Sequence, residues 1–598
     1  MVVAVLYSGL AAVAYAPVLF SANRLPACAC GDQVQEVWFL RWPVYALAHG
    51  RNPLFTSWLN YPHGANLAIN TTALLLGVLS APLQLVIGSV RTFDVLLALA
   101  LATSALSMCL VLRRWVTSWA ATFAGGLLYG FSPFMIGEGS GHLFLTAAFV
   151  PPLVLAVLDD VLVRRHLSAR RGGLLLGGLL VAQYFISAEV LAMTAITTAC
   201  GVVVLAAANR HVVRDHLRHA LVAGFLASLV ALVVLAYPLW FSILGPQHIV
   251  GPPHALADLA RYPGDLLGPV VPTSFQHFAP GALQLHGDRL TGSNPAENGL
   301  YLGVPLLAVL AMLTWRFRRS RPLVFFSTMV VVVFVLALGP TLTIDGHDTR
   351  VPLPLAIVRH VPLLQDVMAV RFALLMQLCA AAALAIGLDL WTRDRRKLQA
   401  APGWALRTRV VVPPFLVGVV ALLPLVPQLP YAGEPTDVPA FWTSPAVDRI
   451  PAGTAVLTYP YPVGTELLSM LGQVEAGMRF KLIGGSVFVP GPNGRSMFGP
   501  NLLAPTQVQA ILYNTYSPSP TGPPSDLAHY PPVNPSVEAN LRTFLTAYHV
   551  STVIVDPVGT NPAGVLRYLA TVLGPGKRTG GVVAWFDIPR LLQVQRSP

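Results

Sequence analysis

Charged residues are scarce in this sequence. They account for 11% of its 598 residues, whereas soluble globular proteins carry about 25%. Hydrophobic residues account for 55%, and long apolar runs recur through residues 1–430. This composition excludes an ordinary soluble domain and predicts a polytopic membrane protein.

Motifs of several enzyme classes are also missing. The sequence has no Gly-rich phosphate loop, no Ser-His-Asp order and no HExxH, so nucleotide hydrolysis and zinc proteolysis have no support. Three of the five cysteines, Cys109, Cys200 and Cys379, lie inside apolar runs. Cys28 and Cys30 are too close for an unstrained disulfide and too few for a zinc site. We therefore predict no cofactor and no metal; a divalent metal is an alternative that no motif supports.

Apolar runs long enough to cross a bilayer, roughly 17–25 residues, are predicted at eleven places. They are residues 2–20, 92–112, 118–136, 141–162, 173–187, 190–208, 220–243, 298–315, 322–340, 364–391 and 408–429. The first lacks a basic leader and a cleavage site, so we interpret it as a retained helix. Most of the net charge of +12 sits in short basic clusters between these spans. The positive-inside rule places every cluster in the cytoplasm. Because this rule accounts for the positive charge, we predict no nucleic-acid binding.

This sidedness leaves two long outer loops, residues 21–91 and 244–297. Residues 73–89 are short and contain Pro82, so we expect an interfacial or re-entrant helix rather than a crossing. After residue 430 the pattern changes to short strands and amphipathic helices. The predicted fold is thus mainly α, a transmembrane helical bundle over residues 1–430, followed by an extracytoplasmic α/β domain over residues 431–598.

Polar residues from five separate segments are predicted at the outer ends of the spans. They are Asp32 and Glu36; Glu138 and His142; Glu189; Glu297 and Tyr301; and Asp366 with Arg371. Charges beside membrane spans are costly and are therefore functional candidates. Asp32 and Glu36 would lie on one helical face, among aromatic residues typical of the headgroup region, such as Trp38, Trp42 and Trp58.

Each of these residues also has a structural interpretation. Asp32 could cap a helix with Gln35 as its capping-box partner. Glu138 could be a solvated turn acid, and His142 could cap the helix that follows. Arg371 could form an ion pair with Asp366 or Glu189. Asp159, Asp160 and Asp389 are expected to pair with nearby arginines, so we exclude them from the candidate site.

A carboxylate near an arginine at the membrane surface suits group transfer from a lipid-phosphate donor. The carboxylate can deprotonate an acceptor hydroxyl while the cation stabilises the departing phosphate. On this hypothesis Arg371 contacts the phosphate, while Glu138, His142, Glu189, Glu297 and Tyr301 bind sugar or acceptor.

The chain resembles the GT-C superfamily of integral-membrane glycosyltransferases, and within it the bacterial protein-mannosyltransferase-like and YfhO-like enzymes. The resemblance rests on one span followed by a long loop that opens with an acid, Asp32, and on short motifs at 129–133, 137–142, 471–473 and 479–485. It implies that Asp32 is the catalytic base, with Glu36 as a second acid, and that the donor is a polyprenyl-phosphate sugar. Asp32 is followed by Gln33 and not by a second acid.

The sequence therefore predicts a glycosyltransferase of the bacterial plasma membrane, a hexosyl- or pentosyltransferase that acts on a glycan, lipid or protein acceptor at the outer face. One alternative is a transporter or flippase of lipid-linked glycans, which would need ionisable residues across the whole membrane. Another is a non-catalytic scaffold for envelope assembly, in which the domain after residue 430 would be the docking surface.

Overall fold

The computed structural model describes residues 1–21, 23–27, 31–208, 210–251, 262–290, 294–360, 367–400, 413–463, 467–499, 506–514, 533–557 and 562–594. Cys28, Cys30 and Asp366 lie outside these described residues. The chain is organised as two compact units. The first comprises residues 1–20, 94–236 and 254–432, and the second comprises residues 21–93, 237–253 and 433–598. The predicted domain boundary at residue 430 stays a prediction.

The first unit is almost entirely helical. Its α-helices are Val2–Ala14, Ala16–Leu19, Ser89–Leu112 (which begins in the second unit), Trp119–Gly130, Pro133–Glu138, Leu143–Thr146, Val150–Asp159, Ala169–Ile186, Ala188–Ala208, Arg210–Leu244 (which ends in the second unit), Gly281–Leu290, Val304–Arg316, Arg321–Ala337, Ala373–Ala400 and Pro414–Leu422. Asp160–Arg164 forms a π-helical turn, and the 3-10 helices are Pro295–Glu297, Pro354–His360, Ala369–Phe372 and Leu423–Leu425. Strands Thr341–Ile344 and His347–Pro352 form an antiparallel hairpin.

Five helices in the described part of the chain are long and apolar enough to cross a membrane. They are Ser89–Leu112, Leu143–Arg164, Ala188–Ala208, His216–Leu244 and Ala369–Arg396. Shorter apolar helices include Val2–Ala14, Val304–Arg316 and Arg321–Ala337. The chain is thus a mainly helical membrane protein, and the predicted number of eleven spans stays a prediction. The two separate runs predicted at 173–187 and 190–208 lie in two helices of 18 and 21 residues, Ala169–Ile186 and Ala188–Ala208, that meet at Ser187.

Side-chain contacts link the basic clusters of the first unit at the ends of its helices. Arg114 pairs with Asp159 at 3.0 Å and also with Asp160. Arg164 bonds to the same Asp159 at 2.5 Å. Other contacts in this group are Arg393 with Asp389, Arg316 with Asp394, Thr117 with Asp389, and His216 with the Leu162 carbonyl. The acids excluded from the candidate site are therefore neutralised by arginines, as predicted. We call this group of contacts the basic end.

The second unit is built around a five-stranded mixed sheet. The strands lie in the order Lys577–Thr579, Val582–Phe586, Val550–Val555, Ala455–Tyr459 and Lys481–Leu482. Val550–Val555 pairs in parallel with Ala455–Tyr459 and antiparallel with Val582–Phe586. The other strands are Arg24–Pro26 with Gly433–Pro435, Phe55–Thr56 with Ala65–Asn66, and Phe488–Pro490 with Ser496–Phe498. The α-helices are Asp32–Ala48, Leu74–Leu79, Ala81–Ile87, Ala440–Thr443, Leu468–Glu475, Gln507–Asn514, Pro535–Ala547, Pro562–Leu573 and Ile588–Val594, and the 3-10 helices are Leu67–Ile69, Pro445–Arg449 and Pro492–Gly494.

The aromatic residues after Asp32 are buried in this second unit. Trp38, Trp42 and Trp58 are at most 3% exposed. The Trp38 indole N–H donates to the Gln473 side chain at 2.5 Å, and the Gln473 amide donates to the carbonyls of Trp58 and Phe480. These rings therefore do not face lipid, because they fill a protein core and their polar atoms bond within it; their predicted headgroup depth stays a prediction.

Two local predictions concern the loop 21–91. Residues 74–87 form two helices of 6 and 7 residues, Leu74–Leu79 and Ala81–Ile87. Each is far shorter than a bilayer-spanning helix. The helix near Asp32 begins at that residue, with Gly31 as its N-cap at φ 73°. The Asp32 capping interpretation is wrong, and the Gln35 amide instead donates to the Ser486 carbonyl at 2.5 Å.

Candidate functional site

Five of the predicted site residues come together in the first unit. Glu138 ends helix Pro133–Glu138, and His142 is the N-cap of Leu143–Thr146. Glu189 lies in the first turn of Ala188–Ala208, while Glu297 and Arg371 lie on short 3-10 helices. Each therefore sits at the end of a helix or in a turn, where the chain reverses between apolar segments.

Gly137 allows one of these close approaches. A Cβ atom at this position would lie 2.6 Å from the Ala296 carbonyl oxygen, closer than real Cβ contacts allow. The missing side chain lets helix Pro133–Glu138 pack directly on the turn Pro295–Glu297. The carboxylates of Glu138 and Glu297 are adjacent to these two contact residues, so this packing brings them to one place.

Arg371 is the centre of the charged cluster. Its Nε and Nη2 groups donate to the two oxygens of Glu297 at 3.0 and 2.5 Å, and Nη1 donates to Glu189 at 2.6 Å. Its guanidinium carbon is also 5.9 Å from the centre of the Phe144 ring. A bidentate Arg–carboxylate pair is among the stronger protein hydrogen-bonding arrangements. Of the ion pairs that we considered for Arg371, the one with Glu189 is present, and Glu297 is the partner that the sequence did not indicate.

Glu138 and His142 form the second part of the cluster. Their side chains are joined by a contact of 2.5 Å between His142 Nδ1 and Glu138 Oε2. The interpretation of Glu138 as a solvated turn acid is wrong, because the residue is 0% exposed. Burial, and next the charge of Glu297, raise the pKa of Glu138 to about 7, against the opposing effects of His142 and Arg371.

Glu138 and Glu297 are buried carboxyl groups that influence each other's pKa. Burial alone would raise the pKa of Glu297, but the charge and hydrogen bonds of Arg371 outweigh burial and lower it. Glu138 Oε1 has no hydrogen-bond donor among the described residues. A hydrogen bond from the Glu138 side chain and the charge of His142 also lower the pKa of Glu297. The two carboxylates therefore have pKa values shifted in opposite directions, upward for Glu138 and downward for Glu297.

Tyr301 is buried but separate from this cluster. It is 6% exposed, and a Cβ atom on Gly303 would lie 3.2 Å from its hydroxyl oxygen. Within the described residues its hydroxyl makes no hydrogen bond to the carboxylates or to Arg371. Its predicted role in substrate binding stays a prediction.

Asp32 and Glu36 belong to the second unit. They lie one turn apart on helix Asp32–Ala48, so they share the face that the sequence predicted. Asp32 is half-buried and Glu36 is 2% exposed. Their catalytic roles stay predictions.

Asp94 is a buried acid that was not predicted from the sequence. This residue lies in the apolar helix Ser89–Leu112 and is 1% exposed. Neither carboxylate oxygen has a hydrogen-bond partner in the described structure. An acid inside an apolar span was the signal that could have identified it.

The described residues include no group of three or more His, Cys, Asp or Glu side chains able to hold a metal ion. The absence of a metal or another cofactor stays a prediction.

Comparisons with known proteins place the chain in a family. A model described as a domain of unknown function, DUF6311, matches residues 9–365. No curated protein sequence matches the chain.

Among solved structures, the arabinofuranosyltransferase AftD from Mycobacteria superimposes with a TM-score of 0.50 at 13% identity, over 93% of this chain and 36% of AftD. The chain thus spans little more than a third of that protein. ArnT from Cupriavidus metallidurans matches at TM-score 0.47 and 12% identity over 98% of each chain, and the oligosaccharyltransferase of Archaeoglobus fulgidus at 0.46 and 14%, over 93% of this chain and 69% of that one.

The likeness to AftD concerns the fold, and it confirms the fold that the sequence resemblance implied. The protein belongs to the DUF6311 family and has the GT-C fold of membrane glycosyltransferases.

Proposed function

We propose that this protein is a glycosyltransferase of the bacterial plasma membrane. It moves a sugar from a polyprenyl-phosphate donor to a glycan, lipid or protein acceptor at the outer face. The observation that carries the proposal is the buried cluster of Glu138, His142, Glu189, Glu297 and Arg371 in a bundle with membrane-length helices. The GT-C fold supports the same class of reaction, and AftD is itself an arabinofuranosyltransferase.

The donor phosphate is assigned to Arg371. An arginine side chain has five N–H donors, and three of those on Arg371 are occupied by Glu189 and Glu297. The other two have no acceptor among the residues that the structure describes, so we assign them to phosphate oxygens, while the two glutamates hold the guanidinium plane in position. This arrangement stabilises the negative charge that develops on the phosphate as the sugar leaves.

Proton transfer is assigned to carboxylates. Asp32 takes the proton of the acceptor hydroxyl, with Glu36 as second acid, and the acceptor oxygen attacks the anomeric carbon as the bond to phosphate breaks. Displacement of this kind inverts the anomeric carbon. Glu138, with a pKa of about 7, can also hold or release a proton near neutral pH. His142 keeps its carboxylate oriented, and Tyr301 is assigned to sugar or acceptor binding.

One cavity of the first unit bears on the transporter alternative. Its charged lining residues are Asp159, Arg318 and Arg321, and its other lining side chains are apolar apart from threonines. A path for a glycan would need polar groups along its length. This cavity therefore offers a glycan no such path.

The test is sugar transfer by membranes that contain the full chain. We would supply polyprenyl-phosphate-linked hexoses and pentoses carrying a radiolabel, and compare Asp32→Asn and Glu138→Gln with the unaltered protein. Loss of a positioned acid or base typically costs about 10²–10⁴-fold in rate, and we expect losses in that range for Asp32→Asn. Asp437→Asn and Glu434→Gln, at exposed positions of the second unit, are the controls and should transfer normally. Undiminished transfer by a folded Asp32→Asn variant would reject Asp32 as the base.

A further inference from the structure

An apolar cavity lies between four helices of the first unit. It has a volume of about 480 Å³ and is lined by residues of Val150–Asp159, Ala188–Ala208, Arg321–Ala337 and Ala373–Ala400. Thr194, Thr198, Gly201 and Leu205 line it from one helix at spacings of three or four residues. That spacing places them on one helical face, so the cavity follows the helix axis over several turns.

Arg371 and the basic end lie at opposite ends of this helical layer. Arg321 begins helix Arg321–Ala337, and the chain returns close to the far end of that helix, where a Cβ on Gly339 would be 3.5 Å from Ala369. Arg371 follows two residues later. Sixteen residues of α-helix rise about 24 Å, so a phosphate at Arg321 is far from one at Arg371. The two positions can hold two different phosphate groups.

Two arginines stand at the basic end of the cavity. Arg318 and Arg321 both line it, and in the described structure neither forms an ion pair. Their neighbour Arg316 pairs with Asp394. One acid, Asp159, also lines the cavity, but Arg114 and Arg164 both bind it. At this end of the cavity, Arg318 and Arg321 therefore carry positive charge without an acidic partner among the described residues, directly beside an apolar volume.

We propose that this cavity binds an anionic phospholipid of the membrane leaflet at the basic end, predicted to be the cytoplasmic one. The headgroup phosphate contacts Arg318 and Arg321, and an acyl chain fills the space beside Thr198 and Gly201. Basic pockets between transmembrane helices on the cytoplasmic side are suited to anionic lipid headgroups. The lipid packs between helix Ala188–Ala208, which carries Glu189, and helix Ala373–Ala400, which follows Arg371 directly, so it supports the candidate site without taking part in its chemistry.

The first test measures lipid binding to the purified full chain in detergent, by native mass spectrometry, with phosphatidylglycerol and phosphatidylcholine as probes. Each arginine near an anionic lipid surface contributes roughly fivefold in binding, so Arg318→Gln with Arg321→Gln should weaken phosphatidylglycerol binding about 30-fold. Arg319→Gln is the matched control, because Arg319 lies in the same turn, is exposed and does not line the cavity. Equal binding of the two lipids, or equal losses in the control, would overturn the proposal.

The second test fills the cavity. A Cβ on Gly201 would lie 3.6 Å from Phe325, an ordinary contact, so Gly201→Trp extends into the cavity, whereas Gly178→Trp points into open space. We expect the first variant alone to lose bound phosphatidylglycerol while both keep the elution volume of the unaltered protein. Undecaprenyl phosphate is the third probe. If it displaces phosphatidylglycerol and its own binding needs Arg318 and Arg321, the site serves lipid-linked phosphates and the proposal is wrong.

Discussion

Replacing Arg371 by methionine is the sharpest test of the charged cluster. The change removes the cation that holds Glu189 and Glu297, whose side chains are only 15% and 4% exposed. Removal of one partner from a buried ion pair costs about 3–5 kcal/mol, because it leaves an uncompensated buried charge. We expect a loss in that range for Arg371→Met. Glu297→Gln should cost more than Glu189→Gln, since Glu297 is more deeply buried and makes the bidentate contact.

The free energy of unfolding would be measured in mild detergent, with unfolding followed by the fluorescence of the 11 tryptophans. Arg316→Gln is the control, because Arg316 and its partner Asp394 are 46% and 38% exposed. Such exposed pairs contribute at most about 1 kcal/mol. The triple variant Arg371→Met, Glu189→Gln, Glu297→Gln should recover much of the lost stability, since it buries no unpaired charge. If Arg371→Met is no more destabilising than Arg316→Gln, the buried cluster is not what holds these turns together.

Three further predictions concern packing, protonation and the second unit. Gly137→Ala forces a Cβ against the Ala296 carbonyl and should cost about 1–3 kcal/mol of unfolding free energy, whereas Gly178→Ala, in open space, should cost nothing. Because the pKa of Glu138 is raised, between pH 4.5 and about 7 the folded state keeps a proton that the unfolded state has lost. The free energy of unfolding should fall by up to about 3 kcal/mol as the pH rises through this window. Thermal unfolding measured over a pH series should show that Glu138→Gln lacks this decline. Gln473→Leu leaves the Trp38 N–H and two carbonyls unpaired in a core and should cost at least about 2 kcal/mol in denaturant unfolding; an unchanged midpoint would show that water replaces the amide.

The convergence of five polar residues was the part of the site that the sequence could predict. Apolar runs and basic clusters define which turns share one end of a helical bundle. From this, Glu138, His142, Glu189, Glu297 and Arg371 were expected at one level, and the structure brings them together. The pairing of Arg371 with Glu297 could not be predicted, because it depends on how two short 3-10 helices pack, and no periodic pattern encodes that packing.

Burial was harder to predict than position. The tryptophans after Asp32 have the composition of a lipid headgroup belt, yet they lie in a protein core. A tryptophan is suited to both environments, since it has an apolar ring and one N–H donor. What decides between them is a distant partner, here Gln473 at 435 residues from Trp38 in the sequence. Gly137 is similar: a single glycine in a turn has many explanations, and only the facing Ala296 carbonyl identifies the one that applies.

The most direct test of the proposed function is a structure of the full chain with a bound polyprenyl phosphate. We predict phosphate oxygens about 3 Å from the two unoccupied N–H groups of Arg371, with Glu189 and Glu297 still bound to the other three. A phosphate bound instead at Arg318 and Arg321, or anywhere remote from Arg371, would contradict the assignment of this cluster to the donor.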